Sequence, residues 1–237
     1  MSYAKPPVLN GEAKSDYENY LRTDELLSLQ KGPANWLHRD ELLFTVVHQV
    51  SELWLKLATS EILEAIEKLR SDELRGAQRS LNRTIMCLSR TRDSLELLEM
   101  MSPWDYQQVR RALGHGSGFD SPGFNSLRLS IPKLGQEFFR ILSEQDLELM
   151  QVFKLEHEYE DLYQLAELLL DLDEAVSLWR ARHIKVVART IGIQSVGTQG
   201  TPVEALMKLS EFTFFPALWD IRNRITELAT QEEKGGS

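Results

Sequence analysis

Hydrophobic positions recur at three- and four-residue steps over most of this chain, which is the signature of helices with one buried face. Over residues 39–70, Leu43, Val46, Val50, Leu53, Leu57, Ile62, Leu63, Ile66 and Leu69 form such a stripe. Glu61, Glu64, Glu67 and Lys68 fall mostly on the opposite face. Residues 72–101 repeat the pattern through Leu74, Leu81, Ile85, Leu88, Leu95 and Leu98. Ser102 followed by Pro103 predicts a new helix with a serine cap. Further helices are predicted over 132–150, over 154–192 and over 203–228, with Asp16 capping a shorter one that carries Tyr17, Tyr20 and Leu21. No window shows the apolar/polar alternation of a strand, and the fold class expected is an all-α, single-domain helical bundle.

Two glycine-bearing stretches interrupt the pattern, GHGSGFDSPGFNS over 114–126 and GIQSVGTQGTP over 192–202. Each is read as a loop that either wraps a ligand with its backbone or simply joins two helices. Residues 1–15 have no period and are expected to be a flexible arm. Residues 16–230 would form the domain, and 231–237 a disordered tail.

Composition narrows the function classes. Thirty-six acidic against 27 basic residues give a net charge of -9 and a pI near 5.2, unlike a surface built to neutralise phosphates. The single cysteine, Cys87, excludes a Cys-rich zinc site and fits a reducing, cytoplasmic compartment. The first twenty residues do not read as a leader, and no apolar run is long enough for a bilayer. No partner of nucleic-acid or membrane type is expected.

The chemistry-bearing residues are few. None of the five histidines follows a glutamate at the Glu-x-x-His spacing of di-iron bundles, and His48 is followed by Gln49, so no HExxH pair exists. His48 lies one helical turn from Phe44 and from Glu52, and His183 one turn from Trp179. A single imidazole on an apolar stripe suits an axial haem ligand. The plainer account, a partly buried histidine bonded to a carbonyl, is preferred on spacing alone. Tyr106 and Arg110 share a helix face beside the first glycine loop and are suited to a carboxylate. A surface arginine lying on a tyrosine ring would have the same spacing.

Read together, the motifs resemble the tryptophan 2,3-dioxygenase family. The carriers are DYENYLRTDELLSLQ (16–30), HRDELLFTVVHQVSELWLKL (38–57), MSPWDYQQVRRALGHGSGFDS (101–121), LAELLLDLDEAVSLWRARHIKVVARTIG (165–192) and FFPALW (214–219). They occur in family order and span nearly the whole chain. The resemblance implies haem b as cofactor, with His183 as the axial ligand of its iron. It implies Phe44 and His48 lining the distal pocket, His48 accepting the indole N–H. Tyr106 and Arg110 would hold the substrate carboxylate, Thr198 would meet its ammonium, and Ser117 and Gly118 would border the haem. Tyr17, Tyr20 and Leu21 would complete the pocket of a neighbouring subunit in a homotetramer. The implied reaction is oxidation of the indole ring of tryptophan or a substituted tryptophan by dioxygen, foremost 2,3-dioxygenation to an N-formylkynurenine. Alternatives are insertion of one oxygen atom in a natural-product pathway, and a haem-binding sensor without turnover.

Two departures accompany the resemblance. The family's glycine- and serine-rich loop appears here as GTQGTP, with Gln199 and the pair Thr201-Pro202 in place of glycine and serines. The connection ahead of the His183 helix is also short, and it contains His157, an alternative ligand should His183 not serve.

Overall fold

The computed structural model describes residues 7–203, 206–208 and 211–235. Among them no strand forms beyond an isolated bridge between Val196 and Pro202. The helices are α1 (Asp16–Leu21), α2 (Thr23–Ser28), α3 (Glu41–Arg70), α4 (Leu74–Ser94), α5 (Pro103–Ala112), α6 (Pro122–Glu144), α7 (Leu149–Lys154), α8 (Glu160–Thr190) and α9 (Pro216–Gly235). Short 3-10 turns cover Pro33–Asn35, Leu95–Met100 and Gly118–Asp120. The expected all-α class is what the chain adopts.

α3 is the central helix, flanked by α4 and α6, and α4 packs in turn on α8. One core joins them: Leu55, Ile62 and Leu69 of α3 meet Leu81 and Leu88 of α4, Ile131 and Phe138 of α6, and Leu165 and Leu169 of α8, all fully buried. Burial of such a set is the main favourable contribution to this fold, at about 25 cal/mol per Å² of apolar surface.

Several expected boundaries move. The cap of α1 is Ser15, whose hydroxyl accepts the Glu18 N–H at 3.2 Å; Asp16 instead accepts the N–H groups of Val8 and Leu9 at 2.8 and 2.7 Å. The arm over 7–15 therefore runs as bends fastened to α1. Ser102 does cap α5, accepting from Asp105 N at 3.1 Å. α6 begins ten residues earlier than expected, because Ser121 caps it and Pro122 occupies its first position. It then continues through Pro132, which leaves the Arg128 carbonyl without its helical donor. The apolar series Leu127, Ile131, Leu134, Phe138 outweighs that loss.

The helix expected over 132–150 stops at Glu144, and the one expected from 154 starts at Glu160, with α7 between. The stop is made by Asp146 in the left-handed region (φ 53), while Leu147 N–H reaches back to the Leu142 carbonyl at 2.9 Å. Asp72 (φ 56) ends α3 in the same way, with Glu73 N–H bonded to the Lys68 carbonyl at 2.8 Å. Aspartate tolerates that conformation, so these turns carry no glycine to announce them.

The last helix also differs. It begins at Pro216 rather than 203, part of the expected span lying outside the described residues, and it continues to Gly235 where a disordered tail from 231 was expected. Its start is fixed by Asp173, a buried carboxylate on α8 whose Oδ2 accepts the N–H of Phe214 (2.9 Å), the N–H of Phe215 (3.1 Å) and the indole Nε1–H of Trp219 (3.0 Å). A buried carboxylate needs such donors, and three of them hold FFPALW against α8. Phe215 then lies on Gly135 of α6, where a Cβ would come within 2.8 Å of its ring.

Candidate functional site

Beyond Leu55 on α3 and Val176 on α8 the bundle opens into a cavity of about 840 Å³. α3, α5, α6 and α8 and both glycine loops contribute to its wall. Val47, Leu95, Leu98 and Val186 form a small buried cluster beside it, packed against Phe44 and Trp179.

His48 and His183 both face this space. The Nδ1 of His48 lies 2.7 Å from the Phe44 carbonyl oxygen. A carbonyl can only accept, so Nδ1 carries the proton and Nε2 keeps its lone pair. Burial among apolar walls lowers the proton affinity of His48, partly offset by that hydrogen bond and by the Glu52 carboxylate. The ring also stacks on Phe44, with centroids 4.0 Å apart. The plainer account of a carbonyl-bonded histidine therefore holds for one nitrogen of His48 and leaves the other available.

His183 differs. Among the described residues neither of its ring nitrogens makes a hydrogen bond. Burial pushes its pKa down to about 4, with a smaller contribution from His48 across the cavity, so it is a neutral imidazole near pH 7. Trp179 stacks on it nearly parallel, centroids 5.1 Å apart and planes 9° apart, and Phe124 backs Trp179 at 3.8 Å. The Trp179 indole nitrogen is itself buried with no partner among the described residues. A neutral imidazole held in orientation, with no hydrogen bond among the described residues and facing a mostly apolar cavity, suits a metal-centred planar cofactor.

The remaining expected residues sort clearly. Phe44, Tyr106, Arg110, Ser117, Gly118 and Thr198 all line the cavity. Tyr106 lies with its ring 6.3 Å from Phe44, and burial raises its phenol pKa against the opposing charge of Arg110. Arg110 donates from Nη2 to the Val196 carbonyl at 2.8 Å, and the Thr198 hydroxyl donates to the Gly116 carbonyl at 2.5 Å. Ser117 and Asp120 form a capping box around the 3-10 turn. Tyr17, Tyr20 and Leu21 do not reach this cavity. They stand on α1 with Tyr17 68% and Tyr20 76% exposed. His157 is exposed between α7 and α8 and also lies outside the cavity, as do His38 and His115.

Sequence reasoning passed over Glu52, Arg128 and Arg180. Glu52 accepts the Ser121 hydroxyl at 2.5 Å and the Gly123 N–H at 2.9 Å, tying the start of α6 to α3 one turn from His48. Its position four residues after His48, on a stripe otherwise apolar, was the available signal. Arg180 lies over the Phe212 and Phe214 rings and donates to the Phe212 carbonyl at 3.0 Å. Among the described residues neither Arg128 nor Arg180 forms an ion pair. With Arg110 they put three arginines on the wall, while the carboxylates present, Glu52 and Asp120, already accept hydrogen bonds. The site is arranged for an anionic ligand.

The sequence model for Tryptophan 2,3-dioxygenase matches residues 3–141 and 133–225. The two segments meet within α6, ahead of the short connection to α8 that the sequence singled out. Proteins bearing the name tryptophan 2,3-dioxygenase are similar along nearly their whole length. One from Arthrobacter sp. is 32% identical over 93% of this chain and 95% of its own. One from Bacillus cereus is 31% identical over 88% and 92%. One from Serratia proteamaculans is 32% identical over 92% and 96%. Among the described residues no helix is long and apolar enough to cross a membrane.

Proposed function

The chain belongs to the tryptophan 2,3-dioxygenase family, and on that premise we propose that it is a haem-dependent enzyme that adds dioxygen across the indole C2–C3 bond of tryptophan. The observation that carries this reading is the pairing of His183, neutral and without a hydrogen bond among the described residues, with His48, fixed in the tautomer that accepts, across one cavity. The residues present fit the cofactor: His183 would hold its iron, and Ser117 and Gly118 would border it. When bound, haem supplies the activation of dioxygen.

The protein's own side chains bind and orient. Arg110 forks the substrate carboxylate, assisted by the Tyr106 hydroxyl, in a charge-assisted pair. Thr198 offers its oxygen lone pairs to the ammonium group. His48 accepts the indole N–H at Nε2, and its depressed proton affinity keeps that lone pair available at neutral pH. Phe44, already stacked on His48, supplies an apolar surface for the indole ring. Fixing both ends of the substrate is the catalytic contribution expected of the protein. Insertion of a single oxygen atom and a sensor role are both less favoured, because the relatives carry the dioxygenase name and Phe44, His48, Tyr106, Arg110 and Thr198 all line the cavity. Tyr17, Tyr20 and Leu21, exposed and away from their own cavity, are assigned to the pocket of a neighbouring subunit in a homotetramer. A cytoplasmic location belongs to the same reading.

The test is to load the protein with haem, reduce it without oxygen, add tryptophan and then oxygen, and weigh the product. A gain of two oxygen atoms is expected. A gain of one, or none, contradicts dioxygenation.

A further inference from the structure

Residues 195–203, which contain Gln199 and the Thr201-Pro202 pair, form a hairpin along one side of the cavity. Gly197 N–H bonds to the Thr201 carbonyl at 2.9 Å and Val203 N–H to the Ser195 carbonyl at 3.1 Å. Pro202 sits opposite Val196, at the position of this short ladder that needs no donor. Gly200, at φ +77, makes the turn. The hairpin is therefore held by its own backbone.

Three side-chain hydrogen bonds fasten it to the other wall: Arg110 to the Val196 carbonyl, Thr198 to the Gly116 carbonyl, and Gln199 Nε2 to Asp120 Oδ2 at 2.7 Å. The first two employ groups that substrate must claim. The third does not. Asp120 also holds the Ser117 N–H at 3.0 Å with the same oxygen, so Gln199 ties the hairpin directly to the turn that borders the cofactor space. When Arg110 and Thr198 turn to the substrate, the Gln199–Asp120 bond is the side-chain tie left between the two glycine loops.

We propose that Gln199 is a positioning residue that latches the 195–203 hairpin to Asp120, so that Thr198 is held at the cavity wall and the escape of a bound indole amino acid is slowed. Glycine at this position has no side chain to make that bond. The substrate in this proposal rests on the tryptophan-oxidising reading; the latch itself rests on the hydrogen bonds.

Two readouts separate them. Hydrogen–deuterium exchange of residues 195–203 in the ligand-free protein reports the latch alone. Gln199→Glu, which sets a second carboxylate against Asp120, should speed exchange by about tenfold, the equivalent of one lost hydrogen bond to a charged group. Gln199→Lys, which restores a donor, should return it to the wild-type rate. In the haem-loaded protein Gln199→Glu should raise the KM for tryptophan and its dissociation rate severalfold while kcat moves little, and Gln199→Lys should reverse both. Unchanged exchange in Gln199→Glu overturns the latch. Faster exchange with an unchanged KM overturns its effect on substrate. Exchange that responds as expected in a protein unable to oxidise tryptophan overturns the reaction reading instead.

Discussion

α3 and α8 each pass through two regions built in opposite ways. From Leu55 to Leu69 the inward stripe of α3 is buried against the leucines and phenylalanine of α4, α6 and α8, and from Leu162 to Val176 α8 is buried likewise, Leu55 and Val176 standing at the border of the cavity. From Phe44 to Glu52 and from Trp179 to Thr190, the same two stripes face a void of about 840 Å³. The register does not change between the halves. On α8 the series Leu165, Leu169, Leu172, Val176, Trp179, His183, Val186, Thr190 keeps steps of three and four throughout. What changes is the residue type: polar groups take inward positions that leucine takes at the filled end. A wall without partners loses its dispersion contacts, so the hollow half is the part that a ligand stabilises and the filled half is what keeps it open.

This contrast can be broken from either side. The largest effect expected is on stability, from Leu165→Ala in the filled half, which should cost about 2–5 kcal/mol in denaturant melts. Haem uptake by the protein that remains folded should be unaffected; a lost haem site would mean that the halves are not separable. In the hollow half, Arg110→Ala should leave the melt nearly unchanged and lower kcat/KM for tryptophan by about 100-fold, the value of a charge-assisted fork, seen mostly in KM. Gly123 stands where the halves meet. A Cβ there would lie 2.6 Å from Leu55 Cβ and 2.7 Å from Glu52 Oε2, so Gly123→Ala should cost about 1–3 kcal/mol and disturb substrate binding as well.

The smallest effect is a pH slope confined to the hollow half. Between the ordinary histidine value and the value of about 4 for His183, the unfolded chain binds a proton that the folded chain refuses. Stability of the ligand-free protein should therefore fall as pH drops from about 6.5 toward 4, with His48 acting in the same direction. His183→Ala should flatten the slope in thermal melts taken across that window.

The same contrast explains what could be read from the sequence. Helical stripes are repetitive, and α3, α4, α5 and α8 were legible from them, as was the all-α class. The break at 145–159 was not, because Asp146 ends α6 where a glycine would have been noticed. The early start of α6 was hidden by glycines that suggested a loop, and the Ser121–Pro122 start goes unnoticed within them. On α3 periodicity marked Val46, Leu53, Leu57 and Leu63, which are exposed, while Val47, Ser51 and Leu55 are the buried positions and His48 lines the cavity. On α8 it placed His183 in the inward series but could not say whether the interior was filled. Family resemblance chose the roles of His48 and His183, and the structure brings both to one cavity with Phe44, Tyr106, Arg110, Ser117, Gly118 and Thr198. Glu52 and Asp173 were missed because a carboxylate's hydrogen bonds to distant backbone leave no local pattern.

The central claim is that the hollow end of the bundle takes haem on His183. The most direct measurement is the absorption spectrum of haem-loaded protein, ferric and ferrous, in wild type and in His183→Ala. The account predicts a histidine-ligated Soret band in the wild type that is lost in His183→Ala and restored by added imidazole. An unchanged spectrum in His183→Ala would contradict it.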